Sequence, residues 1–191
     1  GVRVVDEGRK GLTFARQAGL EASSGELVAN IDADTVLPVG WVRTVMEEFR
    51  ANEGLAALSG PFIYYDIPLY TRMLVRVFYA GGFAVHALNH YVLGVGAMMQ
   101  GGNFVVRRTA LLRVGGFDTS IAFYGEDTDI ACRVSRVGRV KWTFGLPIYA
   151  SGRRLKQEGV ARMGARYAAN YFSTTFLKRP FTRKYIDIRE S

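Results

Sequence analysis

A layered α/β domain with a mainly parallel sheet, followed by an amphipathic C-terminal helix, is the fold that this 191-residue sequence predicts. Three observations carry that expectation. Short apolar runs alternate with stretches of helical periodicity through residues 1–65. Apolar residues make up 49% and charged residues 22%, a globular balance over a length that one core can fill. An acidic pair, Asp32 and Asp34, follows directly on an apolar run. The carboxyl end of a strand is where open α/β sheets present their ligand-binding groups.

The elements follow in order. Val2-Arg3-Val4-Val5 reads as an opening strand. Residues 12–22 read as a helix, with Leu12, Ala15, Ala18, Gly19 and Ala22 near one face, and Ser23-Ser24-Gly25 ends it. Leu27-Val28-Ala29-Asn30-Ile31 reads as a buried strand. Pro38 introduces a second helix, with Trp41, Val42, Val45, Met46 and Phe49 on its apolar side. Residues 55–65 read as one further strand.

Residues 77–106 contain no Asp, Glu, Lys or Arg, a length that passes a membrane-span filter. Glycines 81, 82, 94 and 96, with His86, Asn89, His90 and Gln100, interrupt the run. Tyr70, Met73, Leu74, Val77 and Phe78 form a stripe opposite Arg72 and Arg76. A helix lying on a membrane surface or covering the site is the favoured reading; a buried core helix and a span are the alternatives. Residues 109–114 then read as a short helix ended by Gly115-Gly116. Residues 127–137 read as a helix with Ile130, Ala131, Val134 and Val137 inward, and 140–144 as a strand. Residues 156–177 read as one long helix carrying Val160, Met163, Tyr167, Tyr171 and Phe172.

Composition narrows the function classes. One cysteine, Cys132, excludes an intrachain disulfide, and it reads as core. Neither a zinc-ligand pattern nor a signal peptide is present. Residues 151–191 hold ten Lys/Arg against three Asp/Glu, so they carry seven of the eight net positive charges. A basic tail beside a near-neutral body points to an anionic partner: a membrane surface, with nucleic acid the weaker option because no nucleic-acid motif accompanies the arginines.

The chemistry centres on two acidic clusters. Asp32 and Asp34 stand at positions i and i+2, which share a face of a strand, so both can reach one divalent ion that also grips phosphate oxygens. A polar strand end capping the next helix is the other reading, and spacing alone leaves both open. Glu126 and Asp127 open a helix, where a carboxylate can act as a base or simply sit favourably at the positive end of the helix dipole. Gly101, Gly102 and Asn103 make a loop whose backbone can approach a ligand closely, or a plain turn. Arg16 is placed to pair with phosphates or to face solvent. Arg153 and Arg154 follow the last strand and suit phosphate oxygens. His86 and His90 stand at i and i+4, the spacing of a metal pair, but without a third ligand nearby.

Order and spacing add a resemblance. Ala15-Arg16-Gln17-Ala18-Gly19-Leu20, Ser24-Gly25-Glu26 and Ile31-Asp32-Ala33-Asp34-Thr35 resemble the A-R-N-x-G, a-x-G-e and D-x-D pattern of family 2 nucleotide-sugar glycosyltransferases of the GT-A fold. Residues 100–108, with Val114-Gly115-Gly116-Phe117-Asp118, are similar to their acceptor-side segment, and residues 125–133 to their E-D motif. The resemblance implies an inverting, hexosyltransferase-like enzyme. Asp32 would contact the donor's ribose or diphosphate, and Asp34, with Asp32, would hold Mg²⁺ or Mn²⁺. Asp127 would be the base, with Glu126 second. Arg16, Arg153 and Arg154 would sit on the donor side, and Gly101, Gly102 and Asn103 on the acceptor and sugar side. The family's Asn is Gln17 here, and the Q-x-x-R-W of its processive members is absent, which favours single addition.

The expected partners are a nucleotide-sugar donor, a UDP-sugar first, and a saccharide or lipid-linked acceptor. The expected location is cytoplasmic, at the inner face of a membrane. Residues 1–150 are expected to form a partial catalytic domain, with 1–66 on the donor side and 67–150 on the acceptor side, and 151–191 a basic helix and tail. The family's first strand–helix–strand unit is expected to precede Gly1. A sugar-nucleotide pyrophosphorylase-like enzyme and a non-catalytic membrane- or nucleic-acid-binding module are the alternatives.

Overall fold

The computed structural model describes residues 2–182. The basic tail beyond Thr182 lies outside the described residues. Helix α1 (Leu12–Ala22) and strand β1 (Leu27–Ile31) have the bounds that the periodicity predicts. Val2–Val5 is not a strand, and Val2 and Val4 are 96% and 80% exposed. A two-residue strand β2 (Thr35–Val36) precedes α2 (Trp41–Ala51), which buries Trp41, Val45 and Phe49 one turn apart. Val42 and Met46, expected inside, stay exposed, because one helical face is enough to cover the sheet.

The expected strand over 55–65 is two. β3 (Leu55–Ser59) ends at Gly60-Pro61, and β4 (Phe62–Tyr64) enters a second sheet. Gly60 packs so tightly that a Cβ there would lie 2.1 Å from the Leu146 carbonyl oxygen. Helix α3 (Leu69–Ala87) continues into a π-helical turn over Leu88–Val92. Next come β5 (Asn103–Arg107), α4 (Arg108–Arg113), α5 (Glu126–Val134), β6 (Arg139–Trp142) and β7 (Ile148–Ala150). The long helix expected over 156–177 is broken into α6 (Arg153–Glu158) and α7 (Val160–Leu177) by Gly159, whose φ of 79° no helix accommodates.

The larger sheet has the order β1-β5-β3-β6 and the smaller β2-β7-β4. β1, β3 and β6 run one way, but β5 is inserted against them, antiparallel to both β1 and β3. The sheet is therefore mixed, not mainly parallel in its pairing. Phe104, Val106 and Ala57 face a core shared with α1, α4 and α5, while Val105 and Leu58 face a second core under α2. Cover on both faces explains why β3 is buried along its whole length. Ile67, Val75, Leu155 and Met163 form a third cluster joining α3, α6 and α7. Among the described residues no helix is long and apolar enough to cross a membrane, which removes the span over 77–106.

Candidate active site

Asp32 and Asp34 emerge beyond β1, but in a turn: the Thr35 N–H and Oγ1 both donate to the Asp32 carbonyl, at 3.2 and 2.7 Å. Turn geometry, rather than the strand alternation assumed from sequence, sets how the two carboxylates are presented. Gly102 lies against Asp32, with φ of 81° and no room for a side chain: a Cβ would sit 2.2 Å from Asp32 Oδ2. Gly101 lies against the other acidic cluster. Its N–H donates to Asp127 Oδ2 at 3.0 Å, and a Cβ would meet Glu126 Oε1 at 3.1 Å and Asp127 Oδ2 at 3.2 Å. A two-glycine turn thus fills the space between clusters ninety-odd residues apart in sequence.

Arg16 is the second link. Its side chain is 8% exposed, pairs with Glu126, and lies 3.9 Å from Asp32 Oδ1, with its guanidinium over the Phe104 ring. The solvent-facing alternative for Arg16 is excluded. Burial pushes the Glu126 carboxyl up to about 7 against the pull of Arg16. Burial raises Asp127 as well, opposed by the amides of Gly101 and Thr128, which hold its two oxygens. Asp32 is raised by burial, with Arg16 opposing and Asp34 and Asp127 adding. Four carboxylates and one buried arginine therefore form one electrostatic unit.

The donor set at Asp32 and Asp34 fits a hard divalent cation. Among the described residues no three His, Cys, Asp or Glu side chains gather to hold a metal. Two carboxylates, with the remaining ligands drawn from substrate phosphates and water, is the usual arrangement for such an ion.

The other expected residues divide. Arg153 Nη2 donates to Asp34 Oδ2 at 3.0 Å, so it stands beside the first acidic cluster. Arg154 turns to Tyr124 Oη at 3.1 Å and Glu158 at 3.2 Å, in a cluster with Arg166. Asn103 is a correction: it is fully buried, and its amide donates to the carbonyls of Gly60 and Leu146 at 2.9 and 2.8 Å, so it ties the sheets together rather than facing a sugar. Gln17, where the family has Asn, accepts from the Phe117 N–H at 2.9 Å. Sequence reasoning missed Asp66. It accepts from the Gly152 N–H at 2.6 Å and from Ser151 Oγ at 2.8 Å, which fixes the turn leading into Arg153 and pulls its own pKa down to about 2. No local motif marks it, because its partners come from 85 residues downstream.

Asp127 also faces a cavity of about 380 Å³ between α3, α6 and α7. A wider hollow of about 490 Å³, near Phe83, Tyr91 and Phe144, is lined by none of the candidate site residues.

The family model described as glycosyl transferase family group 2 matches residues 27–178. A glucosyl-dolichyl phosphate glucuronosyltransferase of Haloferax volcanii is 27% identical over 130 residues, 63% of this chain and 38% of that protein. Among solved structures, a mannosyltransferase of Pyrobaculum calidifontis, in complex with GDP-Man and Mn²⁺, superposes with a TM-score of 0.59 at 18% identity, covering 89% of this chain and 44% of that one. A glucosyl-3-phosphoglycerate synthase of Mycobacterium tuberculosis, in complex with Mn²⁺, UDP-glucose and phosphoglyceric acid, gives 0.52 at 19% identity, covering 86% and 55%. The chain thus spans about 40–55% of the length of these proteins. At these identities the likeness establishes the fold, which is GT-A.

Proposed function

The chain belongs to glycosyl transferase family group 2, and on that premise we propose that it carries most of the site of an inverting, non-processive glycosyltransferase that uses a nucleotide-diphosphate sugar. The observation that carries this reading is the Gly101–Gly102 turn, which holds Asp32 on one side and Glu126-Asp127 on the other. Asp34 and Asp32 would hold Mg²⁺ or Mn²⁺. Such an ion, when bound, neutralises charge that builds on the departing diphosphate. Arg153 is placed to exchange Asp34 for phosphate oxygens, and Asp66 keeps its turn in place.

Asp127 acts as base. It removes the proton of an acceptor hydroxyl while that oxygen bonds to the sugar's anomeric carbon and the carbon–diphosphate bond breaks on the opposite face. The amides of Gly101 and Thr128 keep both carboxylate oxygens in fixed positions, which suits proton transfer more than a helix cap exposed to water. Glu126, paired to Arg16, orients that arginine between the two clusters. UDP-sugars are the first donors to try, since the mycobacterial neighbour was determined with UDP-glucose, and GDP-sugars the second. Attachment to the cytoplasmic face of a membrane completes the reading.

The test is a thermal-shift panel of UDP-, GDP- and dTDP-sugars with and without Mn²⁺ on the full-length protein. One donor is expected to stabilise only with Mn²⁺, and Asp34→Ala to remove that gain. Asp127→Asn is expected to keep donor binding while transfer falls about 10²–10⁴-fold. Absence of stabilisation by every donor overturns the proposal.

A further inference from the structure

The cavity beside Asp127 has a lining that a sugar does not need. Among the described residues that line it, Asp127 alone is charged. Most of its polar groups are already engaged within the protein. Tyr79 donates to Gln100 at 2.9 Å, Asn89 donates to Tyr171 at 3.2 Å, and Asn170 exchanges two hydrogen bonds with Thr182. A polyhydroxylated ring placed there would leave hydroxyls unpaired, each losing its bonds to water without replacement. The remaining walls are Val75, Phe78, Leu155 and three methionines, Met98, Met99 and Met163. Thioether chains adapt to a flexible ligand better than to a rigid one.

Two features give the cavity a direction. Gly82 and Gly164 keep it open: a Cβ at Gly164 would meet the Phe78 ring at 3.3 Å, while one at Gly82 would meet only Met98 Sδ at 3.8 Å. At its edge, Phe78 and Phe172 both line the cavity and are 42% and 45% exposed. Phe172 stacks on Phe176, itself exposed, and Leu74 and Val77 of α3 are exposed beside Phe78. An apolar track therefore runs from Asp127 out to the protein surface.

Resting on the transferase reading above, we infer that the acceptor is a lipid: the cavity takes the first carbons of a hydrocarbon chain whose neutral hydroxyl end reaches Asp127, and the rest of the chain leaves past Phe78 and Phe172. A hydroxyl is specified because a second anion beside Glu126 and Asp127 would meet like charge. The volume lies within the ordinary range for small-molecule sites.

The probes are straight-chain primary alcohols of one to ten carbons, titrated below their solubility limits, with decyl phosphate as the charged counterpart of decanol. Affinity is expected to rise about fourfold per methylene over the first carbons and then level off as the tail leaves the cavity. Decanol is expected to bind more tightly than decyl phosphate. Gly82→Leu is expected to abolish the tail dependence while Mn²⁺-dependent donor stabilisation, measured in the same variant, persists. Donor stabilisation also separates the two ideas, since it tests the transferase and not the lipid. A primary alcohol carrying a photoreactive tail, used on the unaltered protein, is expected to label Met98, Met163 or Tyr167. Binding independent of tail length, a tail dependence unchanged in Gly82→Leu, tighter binding of the phosphate, or labelling elsewhere overturns the inference.

Discussion

The His86 ring is wholly buried against Phe83, His90 and Tyr91, and neither of its nitrogens has a hydrogen-bond partner among the described residues. Its i, i+4 spacing from His90 suggested a metal pair. The structure instead stacks the two rings with centroids 5.2 Å apart, and no third ligand completes a site among the described residues. Burial, followed by the neighbouring His90, lowers the His86 pKa from 6.5 to about 4. The unfolded chain thus binds a proton at a higher pH than the folded one. The folded state keeps its full stability above pH 6.5 and loses it as pH falls toward 4, by about 3 kcal/mol in all. His86→Phe removes the titrating group and two unpartnered nitrogens. Denaturant unfolding from pH 7 to 4 should show a shallower fall for that variant and no loss at pH 7; an unchanged pH slope would mean that other groups set it.

At the scale of elements, the turn between Gln100 and β5 does more than connect. Gly102 needs its positive φ, and it needs the missing Cβ because Asp32 occupies that space. Gly102→Ala should therefore displace Asp32 and weaken Mn²⁺-dependent donor binding at least tenfold while the melting temperature shifts only modestly. Gly54→Ala is the control, since nothing lies within 4 Å of a Cβ there and its φ is not left-handed. Equal donor affinity in Gly102→Ala and the unaltered protein would refute the role given to this turn. The same element shows what the sequence could and could not tell. Helix α1 and β1 were legible to the residue because local periodicity and a terminating Ser-Ser-Gly fix them. The order of Arg16, Asp32, Asp34, Gly101 and Asp127 was legible as one motif set. β5 was not, since Phe104-Val105-Val106 becomes a central strand only when β1 and β3 flank it. The breaks at Gly60-Pro61 and Gly159 were not read from the sequence, because they depend on close packing and on a positive φ that no local pattern announces. Asn103 and Asp66 take their roles from partners more than 40 residues away.

The whole molecule presents an uneven surface. Leu69, Tyr70, Met73, Leu74 and Val77 on α3 are each at least 50% exposed, and Phe176 and Leu177 continue the apolar area at the end of α7. Lys178 and Arg179 follow directly, and seven of the eight net positive charges lie in residues 151–191. Apolar side chains flanked by basic ones are the pattern of a protein that rests in the headgroup region of an anionic bilayer. Coulomb attraction adds about 1 kcal/mol per basic side chain near such a surface, so binding should weaken as salt screens it. The apolar part should not weaken in that way. Flotation with phosphatidylserine-containing vesicles at low salt is accordingly expected to carry the protein upward, and neutral vesicles to carry less. Leu74→Glu with Val77→Glu is expected to abolish flotation without altering Mn²⁺-dependent donor stabilisation, because neither side chain lines the cavity or touches the acidic clusters. If the protein stays at the bottom with anionic vesicles at low salt, the exposed face of α3 has another purpose, and a lipid acceptor would have to be delivered rather than drawn from a bilayer.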